Sequence, residues 1–533
     1  MDKSILQQQR FQREESVDVL VIGGGPAGTW AAIHAAAQGA DVILVDKGYC
    51  GTSGATAPSG TAVWYVRPNP DEQEAAMKSR EALGGYLADR KWMTSVLDQT
   101  YRNMHRLGKW DYPFPFDEGE TQYRSLQGPE YMRLMRKQVK KAGVKIWDHS
   151  PALELLVDDH GVGGASGVFL KRKEKWKIKA GSVIIATGGC AFLSKALGTN
   201  VLTGDGYLLG AEAGAELSGM EFSNAYAISP AFSSVTKTAF YSWATFYYED
   251  GTVVEGAGSQ KGRSVIAKTL MNQPVYARLD KADEWLQKGM RRSQPNFFLP
   301  FDRMGINPFT QRFPVTMRLE GTVRGTGGLH LINENCATKV PGLYAAGDAA
   351  TREFICGGFT GGGSHNAAWA MSSGTWAGEA AGEYALSLGR HAKKREVHSV
   401  STTPIARRSS NGYERSLELT KSVQREVTPF EINLFRTESN IRPALQRLDS
   451  LWQDIRQGVL RDDSAVKARE VAAMTATARW MYASALERKE TRGMHKRLDY
   501  QEQDPTQNQH LLTGGLDTIW VKPDLFVEGD VVR

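Results

Sequence analysis

The chain has 533 residues, enough for a large core divided among two or three domains. No apolar run approaches the roughly 20 residues that span a bilayer, which excludes membrane insertion by a helix. The net charge of +6 is mild and partly gathered in one segment, so nucleic acid is not read as a partner, and four scattered cysteines (Cys50, Cys190, Cys336, Cys356) suit neither a disulfide framework nor a metal site.

Residues 1–16 read as a frayed polar lead. Lacking the apolar core of a signal peptide, this lead points to a cytoplasmic location. Val17 to Ile22 then form a buried-strand run, followed by Gly23, Gly25 and Gly28 in G-x-G-x-x-G spacing. Trp30 to Gln38 is an Ala-rich helix and Asp41 to Asp46 a second strand. This order of strand, glycine turn, helix and terminal acid is that of a dinucleotide-binding unit. The turn Gly23–Pro26–Ala27–Gly28 offers helix N-terminal amides to a diphosphate, and Asp46 is placed for ribose hydroxyls. Lys47 to Ala62 is a Gly/Ser/Thr/Ala loop, and Lys47, Thr52, Ser53, Gly54 and Thr56 bring it against a flat cofactor.

Apolar spacing predicts helices over 72–110 and 129–142. Short strands at 145–147, 152–157, 164–170 and 176–178 suit a β-meander returning to the nucleotide sheet. Val183 to Gly189 (VIIATGG) is a strand whose Ala186, Thr187 and Gly188 carry bare backbone to the nucleotide. A Gly-Asp-Gly turn follows, in which Asp205 either caps the next helix or touches the cofactor. From Met220 to Arg318 the aromatic content rises and strand–helix alternation stops, as in an inserted substrate-covering domain. Gly325 to Gly328 resumes the nucleotide domain. Gly347 and Asp348 end another strand, and Gly363 and Ser364 open a long small-residue helix whose N-terminus faces an anion or an electron-rich ring edge. Residues 389–412 read as a basic linker, 413–489 as helices broken near Pro429 and Pro443, and the stretch from Leu516 as a β tail.

Four segments together resemble the flavoprotein subunits of succinate dehydrogenase, fumarate reductase, L-aspartate oxidase and adenylylsulfate reductase. They are VDVLVIGGGPAG with LVDKG; IIATGG with TGDGYLLGAEAGAELSGMEF; TGGLHLINENCATKVPGLYAAGDAA; and SALERKETRGMHKRLDYQEQD, with Thr491 where serine is usual. The resemblance implies an α/β fold: a Rossmann-like FAD-binding domain (17–219 and 321–388), an inserted α+β capping domain (220–320) and a C-terminal helical domain (413–533). It implies FAD and hydride transfer at flavin N5, in a cleft between cap and FAD domain. No histidine lies between Tyr49 and Val66, where the succinate dehydrogenase type attaches its flavin, so FAD is expected to be non-covalent.

The departures bear on the substrate. Tyr226 stands where the dicarboxylate enzymes carry a histidine, Val323 or Arg324 where they carry a second, and Phe359 where they carry an arginine. A clamp for two carboxylates is therefore largely missing. Arg263, in GRSVIAKTLMNQPVYARLD, occupies the position of the family's proton-donating or substrate-binding arginine. The stretches NQPVYARLDKA and AFYSWATFYY look more like adenylylsulfate reductase than fumarate reductase, with Trp243 expected to stack on a flat substrate; SGATAPSGTAVWY resembles the corresponding loop there, but Trp64 replaces a polar residue expected near the substrate. Arg263, Arg324, Tyr226 and His365 are the catalytic candidates; Trp64, Trp243 and Phe359 are the substrate-binding ones. Glu490, Arg492 and His495 read as structural pairs.

The leading reading is an FAD oxidoreductase for a small polar or aromatic substrate. Two alternatives stand beside it. One is a dicarboxylate or amino-acid dehydrogenase or oxidase with a clamp rebuilt from Arg263 and Arg324. The other is a non-catalytic electron relay. An electron carrier or iron–sulfur subunit is the partner the family suggests, and a homo-oligomer is compatible with the sequence.

Overall fold

Five of the six residues from Val17 to Ile22 are enclosed apolar side chains, as a strand covered on both faces requires. In the computed structural model this strand begins earlier, as β1 (Arg13–Ile22), so residues 13–16 are not a frayed lead; they pair with Trp176 to Lys179. The structure describes residues 11–524 apart from 118, 237, 260–261, 361, 390–393, 401–411 and 461–463. The remainder of the polar lead and much of the basic linker lie outside the described residues.

The helix α1 (Pro26–Ala37) follows β1 directly, and β2 (Val42–Val45) pairs parallel to it. The segments β3 (Lys145–Trp147), β4 (Ala152–Asp158), β5 (Gly161–Phe169) and β6 (Glu174–Ile185) complete most of the central sheet. The expected separate strands at 176–178 and 183–185 are one continuous strand. Its first half pairs antiparallel with β5 and its last three residues pair parallel with β11 (Leu343–Ala345). Twelve residues are long enough for one edge of β6 to serve two neighbours in succession. The other edge carries β1 along most of its length.

A second sheet stands apart in the chain. It joins β7 (Ala225–Pro230), β10 (Phe313–Gly321), β9 (Val275–Arg278) and β8 (Thr245–Tyr247), in that order and antiparallel throughout. Between β8 and β9 lies the helix α3 (Gly262–Leu270), and α2 (Asp205–Glu212) precedes β7. The long helix α4 (Gly362–Ser387) lies on α1. A Cβ at Gly374 would enter the carbonyl of Ala27, and one at Gly378 that of Ala31, so small residues let the two helices approach to backbone contact.

Several expectations are corrected. The helix over 72–110 is two helices, Pro70–Glu81 and Arg90–Lys109. Gly85 and Tyr86 both take left-handed backbone between them, and the Asp89 carboxylate caps the second by accepting from the amides of Lys91 and Trp92. Asp205 does not cap α2; it is the first helical residue, and Gly204 holds the cap position with no side-chain bond. Part of the basic linker is anchored: Arg395 ion-pairs with Asp158 and donates to the carbonyls of Gly161 and Val162, and β12 (His398–Ser399) adds an edge strand beside β4.

The C-terminal helices are α5 (Gly412–Val427), α6 (Glu438–Arg456) and α7 (Ala465–Glu487). Pro443 does not break α6. It lies in the second turn, where a missing amide removes a single backbone bond. The tail starts at Leu511 rather than Leu516, and Leu511–Gly514 pairs with Leu217–Ser218.

Candidate active site

One cavity of about 1770 Å³ runs between the central sheet, the second sheet and the start of α4. Its floor is the end of β1 and the turn into α1. Gly23 has φ +113, and a Cβ there would enter the Ala186 carbonyl; a Cβ at Gly28 would enter the Gly23 carbonyl. At Gly25, by contrast, a Cβ would meet nothing within 4 Å. Two glycines are thus required by packing, and the third faces open space where a diphosphate would lie. Helix α1 has no acid in its first turn and no side-chain cap, so its leading amides are available to an anion.

Asp46 is saturated by this turn. Its carboxylate accepts from the amide of Gly24 at 2.6 Å, the amide of Gly48 at 2.7 Å and Ser53 Oγ at 2.8 Å. It therefore holds the loop onto the glycine turn, a structural role added to its place on the cavity wall. Lys47 ion-pairs with Asp205 at 2.9 Å and with Glu470 of α7 at 2.6 Å. Burial alone would lower the Lys47 pKa, but the two carboxylates outweigh it and hold the ammonium above its ordinary value. Ser53, Gly54, Thr56, Ala186, Thr187 and Gly188 all reach the wall, as do Pro26, Ala27, Gly347 and Asp348. A Cβ at Gly347 would lie 2.7 Å from Ala27 Cβ, so the early and late glycine regions meet at one place.

Thr52 and Ser364, two other expected cofactor contacts, lie off the wall. Thr52 is exposed and weakly bonded to Tyr49 O. Gly363 is in the first turn of α4. Ser364 is off the wall: its carbonyl accepts from Trp64 N and its hydroxyl bonds His365 Nδ1. Thr360, Asn366 and Ala370 line the cavity in its place.

The catalytic candidates separate. Arg263 and Arg324 both reach the wall. Arg324 is paired with Glu320 at 3.3 Å, and Glu320, fully buried, also accepts from Thr236 Oγ1 at 2.6 Å. Arg263 is exposed to the cavity yet surrounded by protein. Burial, reinforced by the neighbouring Arg324 and opposed by Glu320, brings its pKa down to about 10. Tyr226 also lines the cavity, but its hydroxyl donates to the carbonyls of Val427 and Thr428 at the end of α5. Burial raises its pKa, and with its hydroxyl given to two carbonyls Tyr226 packs the end of α5 against this wall. His365 and Trp64 stack on each other at 4.3 Å, both buried, and neither lines the cavity. Trp243 is also absent from the wall, whereas Phe359 is on it.

Arg352 is the residue that sequence reasoning misses. It is 1% exposed, ion-pairs with Asp348, and donates to the carbonyls of Thr322, Val323 and Gly325. Its guanidinium thus ties Asp348, which lies in the short turn Gly347–Ala349 after β11 rather than ending the strand, to the turn that carries Arg324. The one local signal is the four-residue spacing from Asp348. The pairs expected in the C-terminal signature form: Arg488 joins Glu221 and Glu490, and Arg492 binds Glu490 and the Gly85 carbonyl. His495 accepts from Arg436 and donates to Arg488 O, and burial beside Arg436 holds its pKa well below the ordinary histidine value.

The family description "FAD binding domain" matches residues 18–230, and "Fumarate reductase flavoprotein C-term" matches 418–522. The chain belongs to this flavoprotein family. It is an FAD-dependent oxidoreductase of the succinate dehydrogenase and fumarate reductase family, and the glycine cradle and cavity fit FAD. It is similar to the flavoprotein of fumarate reductase from Mycobacterium tuberculosis, with 25% identity over 93% of this chain and 93% of that one. Its fold matches the E. coli quinol fumarate reductase protein FrdA, with TM-score 0.81 and 21% identity, covering 96% of this chain and 97% of that one. It also matches adenylylsulfate reductase from Archaeoglobus fulgidus, with TM-score 0.76 and 19% identity, covering 97% and 96%. Among the described residues no helix is long and apolar enough to cross a membrane.

Proposed function

We propose that this oxidoreductase acts on a small polar or aromatic organic substrate that is not a simple dicarboxylate, with non-covalent FAD. Bound FAD supplies the two-electron chemistry; the chain binds, orients and excludes water. The observation that carries the reading is the lining of the cavity that Arg263 reaches. Phe359 lies on it, and Tyr226 has committed its hydroxyl to two backbone carbonyls. Two of the side chains that face the cleft therefore offer no charge to a second carboxylate. Arg263, on the first turn of α3, is the side chain placed to hold an anionic group or to deliver a proton.

Several relatives bear the name "Fumarate reductase flavoprotein subunit", which supports an electron-carrying partner for this chain too. The substrate reading is tested by anaerobic mixing of the FAD-loaded protein with succinate, L-aspartate and a panel of non-dicarboxylates, followed at the flavin absorption band. The expected result is no bleaching within minutes by succinate or aspartate. Bleaching by either at an enzymatic rate would overturn it and favour the dicarboxylate or amino-acid reading.

A further inference from the structure

The charges on the substrate side of the cavity do not balance in the way a dianion needs. Arg263 and Arg324 are the two guanidinium groups that both feel the Glu320 carboxylate; Arg80 lines the same cavity from the segment before Gly84. Glu320 is 0% exposed and holds Arg324 at 3.3 Å. It is fixed from behind by Thr236 Oγ1. Swinging Arg324 onto a ligand would leave a buried carboxylate without its cation, which is strongly unfavourable. Arg324 is therefore already neutralised. Among the described residues Arg263 has no carboxylate within ion-pair distance, and its lowered pKa of about 10 still leaves it charged at neutral pH.

Beside these charges the wall carries an apolar patch, flanked by Thr236, Thr238 and Ser242. Ile228 and Met317 come from facing positions of β7 and β10, and Phe240, Tyr241 and Phe246 lie in and just before β8. Phe240 and Phe246 are 8% and 3% exposed, and the rings of Tyr241 and Phe246 stack at 6.1 Å, so this surface is firmly packed. A second carboxylate brought against Ile228, Met317, Phe240, Tyr241 and Phe246 would be stripped of water with no charge among these side chains to meet it, which is costly.

Building on the proposed non-dicarboxylate activity, we infer that the substrate is a monoanion: one carboxylate, held by Arg263, on a flat or branched apolar body that lies against this wall. Arg324 with Glu320 acts as a fixed neutral pair that admits one negative charge and turns away two.

The test is equilibrium binding to the FAD-loaded protein. Benzoate, its neutral counterpart benzamide, and succinate are titrated, read by the shift of the bound flavin spectrum and by thermal protection. Benzoate is expected to bind about tenfold or more tightly than either of the others, the worth of one charge-assisted hydrogen bond. Arg263→Gln is expected to reduce benzoate binding to the level of benzamide while FAD content is unchanged. Glu320→Gln, which frees Arg324, is expected to raise succinate affinity. Equal binding of benzamide and benzoate, with succinate weak, would overturn the monoanion class and leave the non-dicarboxylate reading intact. Succinate binding tighter than benzoate would overturn both. Benzoate binding that survives Arg263→Gln would remove Arg263 from the anion site.

Discussion

Replacing Arg263 by alanine is expected to leave FAD bound and the fold unchanged while slowing substrate-driven flavin reduction about 10²–10³-fold, the effect of deleting one positioned charge from a site that excludes water. Arg263 sits on the first turn of α3, remote in sequence from the glycine cradle, and among the described residues no ion pair ties it to the rest of the protein. Its removal therefore takes away a function without breaking an ion pair among the described residues. Arg263→Lys is expected to recover only part of the rate, because an ammonium does not reproduce the planar fork that meets a carboxylate with two bonds. The pH dependence has a definite sign. Burial and Arg324 lower the Arg263 pKa to about 10, so its charge is complete near neutral pH and lost as pH rises through about 10. Anion affinity should fall over that upper range in the native protein and stay flat in Arg263→Ala. Rapid-reaction reduction and ligand titration measure both. Unchanged turnover in Arg263→Ala would take this residue out of the site.

Arg352→Ala is expected to destabilise the protein by about 3–5 kcal/mol, the cost of removing one member of a buried ion pair. The guanidinium is 1% exposed and reaches Asp348 and three carbonyls of the 322–325 turn. Without it, Asp348 loses its cation at the cavity wall, and the turn between β10 and the Gly327–Gly328 backbone loses its central donor. The predicted outcome is a lower thermal midpoint together with loss of FAD during gel filtration. Arg352→Lys should not rescue either, since one ammonium cannot meet four acceptors spread across a turn. As a control, Arg442→Ala removes an exposed pair with Glu438 on α6 and should change neither reading. Native stability and FAD retention in Arg352→Ala would show that the buried network is dispensable.

What is legible in the sequence is local and periodic. The turn Gly23–Gly28 stands out because backbone packing permits no other residue at two of its positions, and the ladder of β1 because both faces are covered. Asp348 is visible as an acid just past a strand, although it lies in the short turn Gly347–Ala349 rather than in β11 itself. What is not legible depends on long-range partners. Lys47 meets Glu470 from the far end of the chain, and no spacing encodes that pair. Position alone makes Tyr226 a catalytic candidate, yet its orientation is set by where α5 ends, which only the assembled chain determines. His365 and Trp64 stack on each other and do not line the cavity. The single helix over 72–110 fails for a reason that is local: Gly84 and Gly85 interrupt an otherwise continuous apolar stripe, and Asp89 supplies a cap for a second start.

The central claim is that the cavity between the two glycine regions is the seat of non-covalent FAD. The most direct measurement is the flavin content of the purified chain before and after denaturation and precipitation. The account predicts a yellow protein carrying close to one FAD per chain, with all of the flavin released into the supernatant. A colourless protein that stays so after incubation with excess FAD would contradict it.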